Sequence, residues 1–239
     1  MENRNFGSSL VLGALLCAGL VALGWLLSSG IISIKALERT VTVKGLSERE
    51  VPADVAIWPI KFSEVDSDLN KLFSVIQTKN AVITEFLKQS GFKDEEISVS
   101  VPAIIDRQAQ GYSEETARQF RYSGTSAITV YSLNVEQVRK TMNNLVELGK
   151  RGIAIAGEDY ENKTEFLFTH LNDVKPQMIE EATRNAREVA QKFAQDSSSV
   201  LGKIRTASQG QFSIEDRDSN TPYIKKVRVV STVEYYLSD

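Results

Sequence analysis

From residue 8 to residue 34 the chain carries no charge, and blocks such as Leu10-Val11-Leu12, Leu20-Val21-Ala22-Leu23 and Trp25-Leu26-Leu27 fill the run. About 20 apolar residues in a helix span a bilayer core of roughly 30 Å, so this stretch is long enough to cross with some tilt. Beyond it the apolar positions either alternate, as in strands, or recur at three and four, as in helices. Residues 38–43 and 53–65 predict strands, with Gly45 between them marking a turn. Pro59 inside the second strand requires an edge or a bulge, because proline has no amide for the ladder.

The period then changes. Leu69, Leu72, Phe73, Ile76, Ile83, Phe86 and Leu87 share one face of a helix over 66–89, capped by Ser67 or Asp66 and ended by Gly91. Strands over 97–108 and 119–133 enclose a polar loop at 109–118. A second helix starts at Asn134 with Val135, Val138, Met142, Leu145 and Leu148 inward and stops near Gly149 or Gly152. Short strands follow at 153–156 and 164–171. The third helix runs over 173–196 with Pro176 in its first turn, where a missing amide costs little. Its inward stripe is Ile179, Ala182, Ala186, Val189, Ala190, Phe193 and Ala194. Strands at 203–214 and 226–237 close the chain across a charged loop at 215–223.

Three strand–helix–strand segments in succession predict an α+β fold: a mostly antiparallel sheet with three helices packed on it, preceded by one N-terminal transmembrane helix. The expected organisation is a tail at 1–7, a transmembrane anchor at 8–34 and a folded domain at 37–237. Ser28-Ser29-Gly30 offers a signal-peptidase-like site, but Ile31-Ile32-Ser33-Ile34 resumes the apolar pattern and favours an uncleaved anchor. Lys35, Arg39, Lys44 and Arg49 follow the span while Arg4 alone precedes it, so the positive-inside count by itself would keep the domain in the cytoplasm. Long domains are translocated despite such charge. Gly13, Gly19 and Gly24 have no clean GxxxG register.

With 42% apolar residues the chain can bury a substantial core, and a net charge of −3 without a basic stripe argues against nucleic acid as the partner. The one cysteine, Cys17, lies in the apolar run, preceded by Leu16 where lipoprotein processing wants a small residue. His170 is the only histidine, which removes His-rich metal sites and makes a Ser-His-Asp mechanism improbable. Asp216-x-Asp218-x-Asn220 mimics the opening of a calcium loop, but Thr221 replaces the glycine and Val227 the bidentate glutamate. Asp94-Glu95-Glu96 and Glu48-Arg49-Glu50 read as solvated charge runs, and Asn162-Lys163-Thr164 fits the glycosylation sequon. No catalytic, cofactor or metal residues are expected, and no cofactor.

Two stretches carry a resemblance. Thr40-Val41-Thr42-Val43-Lys44-Gly45 with Glu48 and Val51-Pro52-Ala53-Asp54 is the first. The second is Ala182-Thr183-Arg184-Asn185-Ala186-Arg187 through Ala190 and Ala194, then Leu201-Gly202-Lys203-Ile204 and Val227-Arg228-Val229-Val230-Ser231-Thr232-Val233. In order and spacing they resemble the SIMPL-domain family of bacterial envelope proteins. The resemblance implies an exported domain at the inner (cytoplasmic) membrane, periplasmic in location, with a tendency to homo-oligomers, no established catalytic residues and, in some relatives, an association with stress tolerance. On that implication the tail at 1–7 is cytoplasmic and the domain at 37–237 extracytoplasmic. The expected function is therefore a non-catalytic, membrane-anchored envelope protein that self-associates or binds another envelope protein. The alternative is a small-ligand-binding or hydrolytic domain with a pocket formed by loops 109–118 and 215–223.

Overall fold

The computed structural model describes residues 4–36, 39–110, 120–157 and 162–238, and only the backbone of 4–10 and 31–36. Helix α1 spans Arg4–Ala36 without a break, so Ser28, Ser29 and Gly30 lie inside it. Its segment Val11–Gly30 has a mean hydropathy of 2.2 and buries nothing, which makes it long and apolar enough to cross a membrane. The strands that follow are β1 (Thr40–Pro52), β2 (Val55–Asp66), β3 (Ile97–Val99), β4 (Ala103–Asp106), β5 (Tyr122–Ser132), β6 (Glu165–Leu167), β7 (Val200–Gln209), β8 (Ser213–Asp216) and β9 (Ile224–Ser238). The helices among them are α2 (Leu69–Gln89), α3 (Val135–Asn143), α4 (Val146–Lys150) and α5 (Leu171–Asp196). The class is α+β with antiparallel pairing, and the strands divide between two sheets, ordered β1-β9-β7 with β8 also on β9, and β3-β5-β2-β6 with β4 also on β5.

The chain separates into two compact units, one of residues 1–48, 174–213 and 228–239 and the other of 49–173 and 214–227. In the first unit α5 lies on β1, β9 and β7. The buried stripe of α5 is a strict four-residue ladder, Met178, Ala182, Ala186, Ala190 and Ala194, each at most 2% exposed. Val189 and Phe193, expected inside, are exposed instead, because the ladder advances slightly around the helix at each step and leaves them on its flank. Small side chains bring the helix close to the sheet. Gly45, expected at a turn, sits in mid-strand in β1 for this reason: a methyl group there would lie 1.8 Å from the Ala182 carbonyl oxygen and 2.5 Å from the Ala186 nitrogen. On either side of that contact Ser47 Oγ donates to Glu181 Oε2 (2.9 Å) and Asn185 Nδ2 donates to the Leu46 carbonyl (2.8 Å).

Helix α5 starts two residues earlier than its predicted start at 173, so Pro176 falls beyond the first turn and one intrahelical hydrogen bond is missing. The helix ends in a Schellman arrangement: Ser199 N–H reaches the Ala194 carbonyl (2.8 Å) and Ser198 N–H the Gln195 carbonyl (3.0 Å). Ser198 takes the left-handed position usually given to glycine, with φ +52°.

In the second unit β5 pairs with β2 in unbroken register from Ala56↔Ser132 to Asp66↔Tyr122. Pro59 stands in this ladder without a bulge. Its missing amide falls on the side of β2 where β6 pairs only with Val55–Ile57, so the proline occupies a local edge. Leu72, Ile76, Ile83 and Leu87 of α2 are fully buried over Ile60, Phe62, Ile128 and Val130, with Trp58 beside them in the same core. Burial of one such aliphatic side chain contributes about 1.5–3 kcal/mol. Asp68, rather than Ser67 or Asp66, caps α2 by accepting from Asn70 N and Lys71 N. The helix predicted over 134–149 breaks into α3 and α4 at Asn143-Asn144, where asparagine side chains compete with helical hydrogen bonding. The strand predicted over 97–108 is interrupted around Pro102 to give β3 and β4, and that over 153–156 is reduced to a single bridge, Phe62↔Ile155.

The ladder fixes two expected outcomes. Ala186→Leu and Gly45→Ala should each destabilise the chain, Ala186→Leu by about 1–3 kcal/mol and Gly45→Ala by at least as much, because the atoms it meets are backbone. Glu188→Leu, on the exposed face, should stay within about 0.5 kcal/mol. Denaturant melts of the detergent-solubilised chain followed by circular dichroism measure all three, and equal midpoints would show that the buried face is assigned wrongly.

Candidate functional site

An open cleft of about 1070 Å³ lies within the second unit. Its wall is built by the turn after α2, the end of β5, the start of α3 and Tyr223. The α2–β3 turn is held down by Glu96, which accepts from Ser132 Oγ (2.6 Å) and from the Lys93 amide (2.9 Å). Ser132 Oγ in turn accepts from Asn134 N–H, and the Asn134 side chain caps α3 through Gln137 N–H (3.1 Å each). Gln137 Nε2 reaches back to the Ser90 carbonyl (3.1 Å), so the mouth of the cleft is cross-tied. The Arg139 guanidinium lies 3.5 Å from the centroid of the Tyr223 ring and bonds Glu136 at 2.8 Å. Phe166 meets the same ring edge-on at 6.1 Å. Tyr131 and Leu133 stand in the cleft largely exposed, at 52% and 73%.

A second arrangement in this unit surrounds Asp54. Its carboxylate accepts the amides of Thr169 (2.9 and 3.0 Å) and His170 (3.2 Å) and meets His170 Nδ1 at 2.5 Å. Burial disfavours the ionised form of Asp54, but the hydrogen bonds from His170 and Thr169 outweigh it and hold its pKa below the ordinary value. The hydrogen bond and charge of Asp54 push the His170 pKa up. Asp54 thus ties the β1–β2 corner to the entry of α5, a structural role for the only histidine.

The remaining sequence candidates scatter. Asp216 pairs with Lys225, whereas Asp218 turns inward on its own loop, accepting from Asn220 N and Thr221 N (2.8 Å each) and from Arg217. Bonds from the Thr221 hydroxyl and the Arg217 guanidinium bring the Asp218 pKa down to about 2. Among the described residues no three His, Cys, Asp or Glu side chains converge as a metal cluster. Of the charge runs, Asp94 pairs with Lys88, Glu50 with Arg217 (3.4 Å), and Glu96 is the cleft tie described above rather than a solvated group. Thr164 of the sequon is buried. Loop 215–223 contributes Tyr223 to the cleft, while 111–118 of the other expected pocket loop lies outside the described residues. The cleft itself was not foreseen. Its one signal in the sequence is the apolar pair Tyr131 and Leu133 at a strand end with no element left to cover it.

Fold and site together define an α+β domain with an open cleft, preceded in the chain by an apolar helix. Residues 41–235 match the SIMPL family, described as proteins of unknown function (DUF541), and the chain belongs to that family. A search of curated proteins finds no match.

The Asp54–His170 pair has a definite pH signature. Because the folded His170 pKa is raised, its contribution is complete below the unfolded imidazole value and fades as pH rises through the folded value. Because the Asp54 pKa is lowered, its contribution is lost as pH falls through that value; the pair is fully formed between the two. The single imidazole should titrate by NMR above the ordinary value of about 6.5, and Asp54→Asn should bring the midpoint back towards it. An unchanged midpoint in Asp54→Asn would refute the pairing.

Proposed function

We propose that the protein is a single-pass membrane protein whose SIMPL domain lies outside the cytoplasm and works by binding, to further copies of itself or to another envelope component, and not by catalysis. The observation that supports this reading is α1, a continuous helix whose 20-residue apolar segment buries nothing and is long and apolar enough to cross a bilayer. The unbroken course of α1 through Ser28-Ser29-Gly30 supports an anchor that is retained, since a cleavage site is normally presented past the end of the apolar helix. Support for binding comes from the cleft. Glu96, Gln137, Glu136 and Arg139 are engaged in holding its walls, and what it offers outward is Tyr131, Leu133 and the clamped Tyr223 ring.

A reporter fused after Asp239 that is active only outside the cytoplasm is the expected result, and activity only inside would restore the positive-inside orientation. Light scattering on the detergent-solubilised chain should show a mass above one protomer. If the protein is instead monomeric throughout, Tyr131→Ala with Leu133→Ala should still abolish capture of an envelope partner by the full chain, and a protein that neither self-associates nor captures would overturn the binding role.

A further inference from the structure

The turn from α5 into β7 carries two large apolar side chains in water, Phe193 at 55% and Val200 at 61% exposure. The turn is tied to Arg39, three residues beyond the end of α1. Arg39 Nη2 donates to Ser199 Oγ (3.0 Å), next to Val200; Ser199 Oγ donates to the Ser197 carbonyl (3.3 Å), and Ser197 Oγ donates to the Phe193 carbonyl (2.9 Å). The Arg39 carbonyl accepts Leu237 N–H (2.8 Å), so the end of β9 belongs to the same edge of the first unit.

Chain length places that edge. Three Cα steps separate Ala36, the last residue of α1, from Arg39, and they reach at most about 11 Å. The uncharged run ends at Ile34, and the two helical residues from there to Ala36 advance only about 3 Å. A leaflet's headgroup layer is roughly 5–8 Å thick. When α1 spans a bilayer, Arg39 and the α5–β7 turn bonded to it are therefore held within about 14 Å of the edge of the uncharged run, a few ångströms beyond the headgroup layer at most extension.

We infer that Phe193 and Val200 seat this edge of the domain in the lipid headgroup layer. The inference rests on the reading of α1 as a membrane span, but not on which side of the membrane the domain occupies. The occupant is a bilayer and not a second protein because the short tether holds this turn beside the lipid surface, whereas a protein partner would have to enter the same gap. Apolar side chains settle about 5–10 Å into the headgroup and acyl boundary, and the basic Lys35 and Arg39 that bracket the link suit anionic headgroups.

The test uses the full chain with Cys17→Ser, reconstituted in phosphatidylcholine–phosphatidylglycerol vesicles. Single cysteines are placed by Phe193→Cys, Val200→Cys, Leu46→Cys and Leu20→Cys and labelled with an environment-sensitive fluorophore. Leu46 is exposed in β1, seven residues or about 23 Å along the strand from Arg39, and serves as the distal control. Leu20 in α1 reports insertion of the helix. The expected result is a blue shift and a loss of emission to headgroup-labelled quencher lipids at 193 and 200 and not at 46, with position 20 quenched by acyl-chain labels. If position 20 is quenched while 193 and 200 behave like 46, the seating is wrong and the membrane span stands. A blue shift at 193 and 200 without lipid quenching would mean that protein covers them, which also overturns it. No quenching at position 20 would remove the membrane span and this inference with it.

Discussion

The first unit depends on one close approach, that of the α5 backbone to the β1 backbone at Gly45. Only hydrogen fits where a methyl group would lie 1.8 Å from a carbonyl oxygen, and the facing helix presents the small, fully buried Ala182 and Ala186 at that point. Proximity of this kind leaves little room for sliding, because movement along the helix would bring larger side chains over the strand. The two stretches that mark the family in sequence, one around Gly45 and one around the alanine helix, are thus the two halves of a single contact. They lie far apart in the chain and must change together.

The apolar N-terminal helix, the fold class and the approximate position of the two long helices α2 and α5 are legible in the sequence because each rests on a local period. What the period cannot carry is the depth of contact. Gly45 reads as a turn in sequence since glycine usually marks one, and nothing local distinguishes a glycine needed for its φ from one needed for its lack of a side chain. Phe193 and Val189 read as buried for the same reason: an apolar residue near the right angle on a helix is indistinguishable from a buried one until the extent of the sheet beneath it is known. The split between α3 and α4 turns on two asparagines whose cost is small enough for tertiary packing to decide.

The cleft was harder to read because its parts come from four separate segments and most of its polar groups bond to one another. Glu96 looks like one of three solvated acids, yet it is the member with a serine and a backbone amide within reach. Asp54 follows the same logic. As part of a Pro-x-Asp pattern it is a family mark without a mechanism, and the structure supplies one in the amides of Thr169 and His170, which a carboxylate can satisfy and an asparagine would satisfy less well.

The placement of the two tryptophans gives the molecule an intrinsic optical division of labour. Trp25 projects from the apolar helix, 72% exposed, and Trp58 is enclosed in the core of the second unit at 3%. Emission that responds to whatever surrounds the apolar helix belongs to the first, whereas a shift on loss of tertiary packing belongs to the second. The α5 sheet has no tryptophan of its own, so it is spectroscopically silent at that wavelength, and an unfolding curve followed by tryptophan fluorescence alone would pass over the very sheet in which the Gly45 contact resides.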